Sequence, residues 1–331
     1  MIKFRQYSLI SFFFFVCLFV IYFSIYGNKD DAFLKNIVSE KKAKEQESYF
    51  KNISFFLIKK DQEQLHLLSN ELIIDNTSKR SSFESPRGFF YTSERAKVDF
   101  ESLKGLYRPE DSTFILSEQA QLFSNGSRLK SELAMYVMNK EFFVSEGNVR
   151  TETEDLKSGD KIFINSLKVH AWPKIKKSDY EGNVMGHIKR KRPYEPDIFF
   201  SSDSIYLDLL LNQIRLEGKV GIKRQDVEAT SRRGEIYLDN RNKKLKYYTL
   251  FDDVKVVEKL KIGEKDLIER KAFGEKLEGI ISEDKLVLTG SPKVLQEEDV
   301  VKGNKIMLRE NNDVIEVEDA SSNFTVKKKE K

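Results

Sequence analysis

The sequence predicts an all-β body, an elongated stack of antiparallel strands, behind a single N-terminal transmembrane helix. Three observations predict it. One uncharged stretch of twenty residues, "YSLISFFFFVCLFVIYFSIY", lies near the start. Beyond it, short runs rich in Ile, Val, Phe and Tyr alternate with polar residues, and no long window keeps a helical period. One pattern is written three times, as "FFVSEGNVRTETEDLKSGDKIFI" from Phe142, "QIRLEGKVGIKRQDVEATSRRGEIYL" from Gln213 and "KLVLTGSPKVLQEEDVVKGNKIML" from Lys285. A hydrophobic content of 40% with 33% charged residues suits a folded chain, and a net charge of +4 over 331 residues selects neither for nor against nucleic acid.

Residues 1–6, with Lys3 and Arg5, form a cytoplasmic N-terminus. Residues 7–26 form the helix, because twenty residues at about 1.5 Å each reach roughly 30 Å, the thickness of a bilayer's hydrocarbon core. The positive flank keeps the N-terminus inside and exports the rest. A cleaved signal peptide is the alternative, but the apolar stretch is long and no small-x-small site follows it. Cys17 is the only cysteine and lies within the helix, so the exported body has no disulfide. Residues 27–50, with "SEKKAKEQES" at their centre, read as a polar stalk.

The body is one lobe over 51–172 and another over 198–326, with a basic tail at 327–331. In "IRLEGKVGI", Ile214, Leu216, Val220 and Ile222 fall on one side, and Arg215, Glu217 and Lys219 on the other. The aligned glycines of the three strong repeats, Gly147, Gly218 and Gly290, are 71 and 72 residues apart. Weaker copies centre on Ser85, Glu118, Asp252 and Asp319, giving a step of about 30 to 38 residues with one copy obscured between Gly147 and Gly218. One such unit cannot bury its apolar face alone, so neighbours stack and leave a strand edge at each end. Between the lobes, "PKIKKSDYEGNVMGHIKRKRPYEPD" (173–197) holds three prolines and seven Lys or Arg, and reads as a basic loop or hinge.

His66, His170 and His187 stand at no metal-ligand spacing, and there is no phosphate loop, dinucleotide fingerprint or nucleophile elbow. No catalytic residue, metal or cofactor is predicted. Asp252–Asp253 and Glu297–Glu298–Asp299 read as turn residues, although a carboxylate pair for glycan hydrolysis stays open. What remains is the apolar face: Leu156, Ile162, Ile164, Ile214, Leu216, Val220, Ile222, Val227, Ile236, Leu238, Leu288, Val294, Val300, Ile306 and Leu308. If the stack closes, these residues are core. If its sheets splay, they form an apolar track suited to acyl chains. Periodicity leaves both readings open.

The stretch "LSEQAQLFSNGSRLKSELAMYVMNKEFFVSEGNVRTETEDLKSGDKIFI" from Leu116 resembles the periplasmic LptC family of lipopolysaccharide transport. "LVLTGSPKVLQEEDVVKGNKIMLRENNDVIEVEDA" from Leu286 is similar to the LptA (OstA-like) repeat, and together the two cover roughly residues 50 to 326. Glu118 and Asp252 stand where glycine is usual. The resemblance implies a β-jellyroll, LptC-like over 51–172 and LptA/OstA-like over 198–326, whose sheets splay to bind the acyl chains of lipid A. It implies a single-pass helix in the inner membrane and a body in the periplasm. Lipopolysaccharide would come from an inner-membrane ABC transporter and pass to an LptA-like or outer-membrane LptD-like jellyroll by edge-strand pairing. No reaction, cofactor or nucleic acid enters this reading. Two other classes remain: an anchored β-solenoid scaffold with a closed core, and a polysaccharide-acting enzyme.

Overall fold

Buried and exposed side chains alternate along the body as the period-two pattern requires. The computed structural model describes residues 47–59, 61–92, 94–124, 126–154, 159–238, 245–262, 266–297, 299–309 and 315–323. The predicted transmembrane helix, most of the stalk and the tail lie outside these residues. Among the described residues no helix is long and apolar enough to cross a membrane. The chain divides into two compact units. In the smaller, Met1–Ser48 with Asp75–Ser78, the Asp75 carboxylate accepts the amides of Thr77 and Ser78 at 2.8 and 3.2 Å. The larger, Tyr49–Ile74 with Lys79–Lys331, carries the sheet.

The strands are β1 (Glu47–Lys59), β2 (Gln62–Asp75), β3 (Ser81–Glu84), β4 (Arg87–Tyr91), β5 (Lys97–Glu101), β6 (Lys104–Arg108) and β7 (Thr113–Ser124). They continue as β8 (Ser127–Val137), β9 (Phe142–Glu154), β10 (Lys161–Trp172), β11 (Lys177–Lys189), β12 (Ile198–Asp208), β13 (Gln213–Arg224), β14 (Val227–Leu238), β15 (Leu245–Ile262) and β16 (Asp266–Ile280). The last are β17 (Lys285–Thr289), β18 (Lys293–Gln296), β19 (Asp299–Lys302), β20 (Lys305–Arg309), β21 (Ile315–Glu318) and β22 (Ser321–Asn323). From β7 to β16 each strand pairs antiparallel with the next. The short strands are interrupted halves of longer lines: β3 and β4 both pair with β2, and β17 and β18 both pair with β16. The result is one antiparallel meander.

From β2 to β15 the lines break near their middles, by one of two devices that alternate from line to line. In the first, the backbone turns left-handed for two residues, at Glu118–Gln119, Gly147–Asn148, Gly182–Asn183, Gly218–Lys219, Asp252–Asp253 and Gly290–Ser291. Ser85 and Asp319 also have positive φ, so every predicted repeat centre sits at a left-handed position. The obscured copy is Gly182 (φ +84), where a Cβ would also meet the Leu167 side chain at 2.8 Å. In the second device, a buried serine donates its hydroxyl to the carbonyl two residues on: Ser69 to Glu71, Ser102 to Lys104, Ser131 to Leu133, Ser166 to Lys168, Ser202 to Ser204 and Ser231 to Arg233, at 2.6–3.1 Å. The bulge frees a carbonyl from the ladder, and the hydroxyl satisfies it inside a core that water cannot reach. Ser231→Ala is therefore expected to lower stability by about 1–2 kcal/mol, read by urea unfolding, whereas the exposed Ser291→Ala changes it by less than about 0.5 kcal/mol.

With no long helix among the described residues, one face of the sheet can be buried only against the same face beyond the break. The sheet folds over on itself at these bends. Two clusters fill the fold: an aromatic-rich one from Leu65 to Phe143, and a larger, mostly aliphatic one from Val149 to Leu308. The stretch 173–197, read from the sequence as a loop or hinge, is instead mostly strand. Its β11 pairs along its length with β10 and β12 and buries Tyr180, Val184 and Ile188 in the larger cluster. Its basic residues obscured that alternation because they lie at strand ends and turns. There Arg190 donates to Glu195 at 2.7 Å and lies 3.0 Å from Asp160, and Lys177 pairs with Asp208 at 3.2 Å.

Candidate functional site

The predicted apolar face is largely one continuous interior. Ile164, Ile214, Leu216, Val220, Ile222, Val227, Ile236, Leu238, Leu288, Val294, Ile306 and Leu308 all belong to the larger cluster, none more than 9% exposed, and Ile162 packs against it half-buried. Leu156 lies outside the described residues. Val300 falls on the other side of its strand. It is paired with Leu295, while Val301 is paired with Val294 and turned inward. Counting back from Ile306 by twos reaches Val300, but the break between β19 and β20 shifts the parity by one. The outer face carries charge: Arg215, Glu217 and Lys219 are all exposed.

One row of this interior is polar, and sequence reasoning missed it. Pairing aligns Arg224 with Val227, Val227 with Glu258, Glu258 with Arg270 and Arg270 with Gln296 across β13, β14, β15, β16 and β18. Arg270 and Glu258 are almost wholly buried, and the guanidinium Nε and Nη2 both donate to Glu258 Oε2, at 3.0 and 2.5 Å. Arg224 is 7% exposed and donates to Asp284 at 2.8 Å, tying the end of β13 to the turn between β16 and β17. The signal was present: Arg224 continues the inward parity of Val220 and Ile222, and Glu258 that of Val254 and Val256.

The remaining polar candidates are structural. Each histidine packs against two aromatic rings: His66 stacks on Phe56 and meets Phe89 edge-on, His170 is tilted against Phe142 and edge-on to Trp172 of its own strand, and His187 stacks between Phe163 and Phe199. No group of acidic, His or Cys residues among the described residues is placed to hold a metal. Asp252 and Asp253 occupy a left-handed bend and pair with Arg233 and Arg232; the Arg233 hydrogen bond holds Asp252 below the usual carboxylate range. A cleft of about 570 Å³ is lined by charged residues including Lys97, Asp99, Arg128 and Glu152, a poor match for an acyl chain.

The described residues form an antiparallel sheet around an apolar interior in which Arg270 and Glu258 pair with each other. Residues 14–159 match the family described as lipopolysaccharide-assembly, LptC-related, and residues 200–314 match the LptA/(LptD N-terminal domain) LPS transport protein family. The chain thus matches two lipopolysaccharide-transport families in succession, an LptC-related one and then an LptA-like one. They are families of transport and binding proteins, and the chain is not an enzyme. Among solved structures, LptH of Pseudomonas aeruginosa, the LptA-homologous periplasmic component of its lipopolysaccharide transport device, is 16% identical with a TM-score of 0.35, over 39% of this chain and 95% of that one. No curated protein sequence matches the chain.

Proposed function

We propose that this protein is anchored in the inner membrane by residues 7–26, takes lipopolysaccharide from an ABC transporter and passes it through its periplasmic body towards the outer membrane. The observation that carries the reading is the inward apolar face that continues from Ile164 to Leu308, across the junction between the LptC-like and LptA-like parts. Acyl chains lie between the two halves of the folded sheet, against Ile164, Leu216, Val220, Leu238, Leu288 and Leu308. Each methylene moved there from water contributes about 0.8 kcal/mol, and lipid tails replace aliphatic side-chain contacts with contacts of the same kind. The two lobes, 51–172 and 198–326, act as one jellyroll conduit. Among the described residues β1 offers one open edge, beside exposed Tyr49, Phe56 and Ile58, and β21 and β22 offer another. An unpaired strand presents a row of backbone donors and acceptors, so β1 meets the transporter and the last strands meet an LptA-like or LptD-like jellyroll.

The test is site-specific photo-crosslinking in cells. A photoreactive residue at Leu216 or Leu288 is expected to trap lipopolysaccharide, and one at Glu217 or Lys219 is not. Equal labelling of both faces, or none, removes the reading. The near-zero exposure of Leu216 and Leu288 favours a second reading, a scaffold with a permanently closed core, and that is the result no labelling would leave. The anchor is checked separately: protein extracted from membranes is expected to retain residues 7–26, and an N-terminus near Asn28 excludes it.

A further inference from the structure

Arg270 and Gln296 face each other across β16 and β18, and Ala272 and Val294, two residues along the same strands, are likewise paired and buried. Arg270 commits Nε and Nη2 to Glu258, and Nη2 also lies 3.5 Å from the Arg309 carbonyl oxygen. Its Nη1 has no hydrogen-bond acceptor, and the Gln296 Oε1 has no donor, among the described residues; both atoms are sealed from water. An unused donor and an unused acceptor therefore sit at opposed positions in the polar row, beside the buried apolar pair Ala272 and Val294.

The group that completes such a pair must accept from the guanidinium and donate to the amide oxygen. A hydroxyl does both. An ionised phosphate or carboxylate only accepts and would bring its charge close to Glu258, and a methylene does neither. We propose that Arg270 and Gln296 form a hydroxyl-recognition point in the interior, and that the ligand is a hydroxylated amphiphile, its hydroxyl carried on an acyl chain or on a head-group sugar. The proposal rests on the reading of the interior as a lipid-binding surface. It adds selectivity to that surface, because an unhydroxylated chain of equal length leaves both polar atoms without partners.

The experiment uses the full chain in amphipol, with displacement of a fluorescent fatty acid by four probes: tetradecanoate, its beta-hydroxy derivative, tetradecyl methyl ether and tetradecyl glucoside. The native protein is expected to prefer a hydroxylated probe over its plain counterpart by about fivefold. A preference for the hydroxy acid assigns the hydroxyl to the chain, and a preference for the glucoside over the methyl ether assigns it to the sugar. In Gln296→Leu and Arg270→Lys, each checked for a cooperative melt, the preference is expected to shrink to within about twofold while plain tetradecanoate still binds. Equal affinity for hydroxylated and plain probes in the native protein overturns the proposal, as does an undiminished preference in Gln296→Leu. Displacement by none of the probes removes the lipid-binding reading itself, and this proposal with it.

Discussion

Arg270→Ala is expected to destabilise the fold by about 3–5 kcal/mol, because it leaves the Glu258 carboxylate in the interior without its counter-charge. Two features set the size of the effect. Both side chains are essentially inaccessible to water, and the guanidinium meets the carboxylate through two nitrogens. A double variant, Glu258→Leu with Arg270→Leu, removes both charges together and is expected to recover most of the loss, since apolar groups of similar size suit the surrounding Val256, Ala272 and Val294. Urea unfolding of the single and double variants decides the matter. A loss below about 1 kcal/mol in Arg270→Ala means that water reaches the pair and that the interior is wetter than the packing indicates.

Leu216→Asp is expected to have an effect at least as large. Leu216 is 0% exposed, centred among Ile214, Val220 and Leu250, and an unpaired carboxylate there costs several kcal/mol or more. The folded protein should fail to accumulate, or should melt without a cooperative transition. Lys219→Asp, three residues away, is the contrast. Lys219 is exposed, and its φ of 44° is a left-handed conformation that Asp tolerates, so the change should stay within about 0.5 kcal/mol. Similar losses in the two variants would mean that the inward and outward faces have been assigned the wrong way round.

Much of this architecture is legible in the sequence because period-two alternation and left-handed backbone both leave marks on residue choice. Gly147, Gly218 and Gly290 mark the bends directly, and Glu118 and Asp252 mark them without glycine, by position in the repeat. Gly182 was harder to see, because the basic residues around it dominate the composition of its stretch. The serine half of the pattern stayed hidden for a different reason. Ser131, Ser166, Ser202 and Ser231 look like ordinary polar residues until their hydroxyls are seen to serve a buried carbonyl. The bulge at each serine line also shifts the parity, as Ser231 shows: it faces inward, Arg232 and Arg233 both face outward, and Gly234 is buried again. The break between β19 and β20 changes parity as well, so Val300, which the repeat aligns with inward Val227, lies on the side opposite to Val301. The polar row of Arg224, Glu258 and Arg270 is hidden by its charge, which ordinarily marks exposure, although each residue keeps the inward parity of its apolar neighbours.

The pairing of each strand line with the line just before it bears on how the chain reaches its structure. A segment emerging from the export machinery meets its hydrogen-bonding partner already made and in place, so assembly can advance from N-terminus to C-terminus without waiting for distant sequence. At any moment only the growing edge and the outer edge of β1 are unpaired, which limits the surface open to misassociation. The breaks along the lines from β2 to β15 fold each new strand over as it docks, and no disulfide is required to hold it.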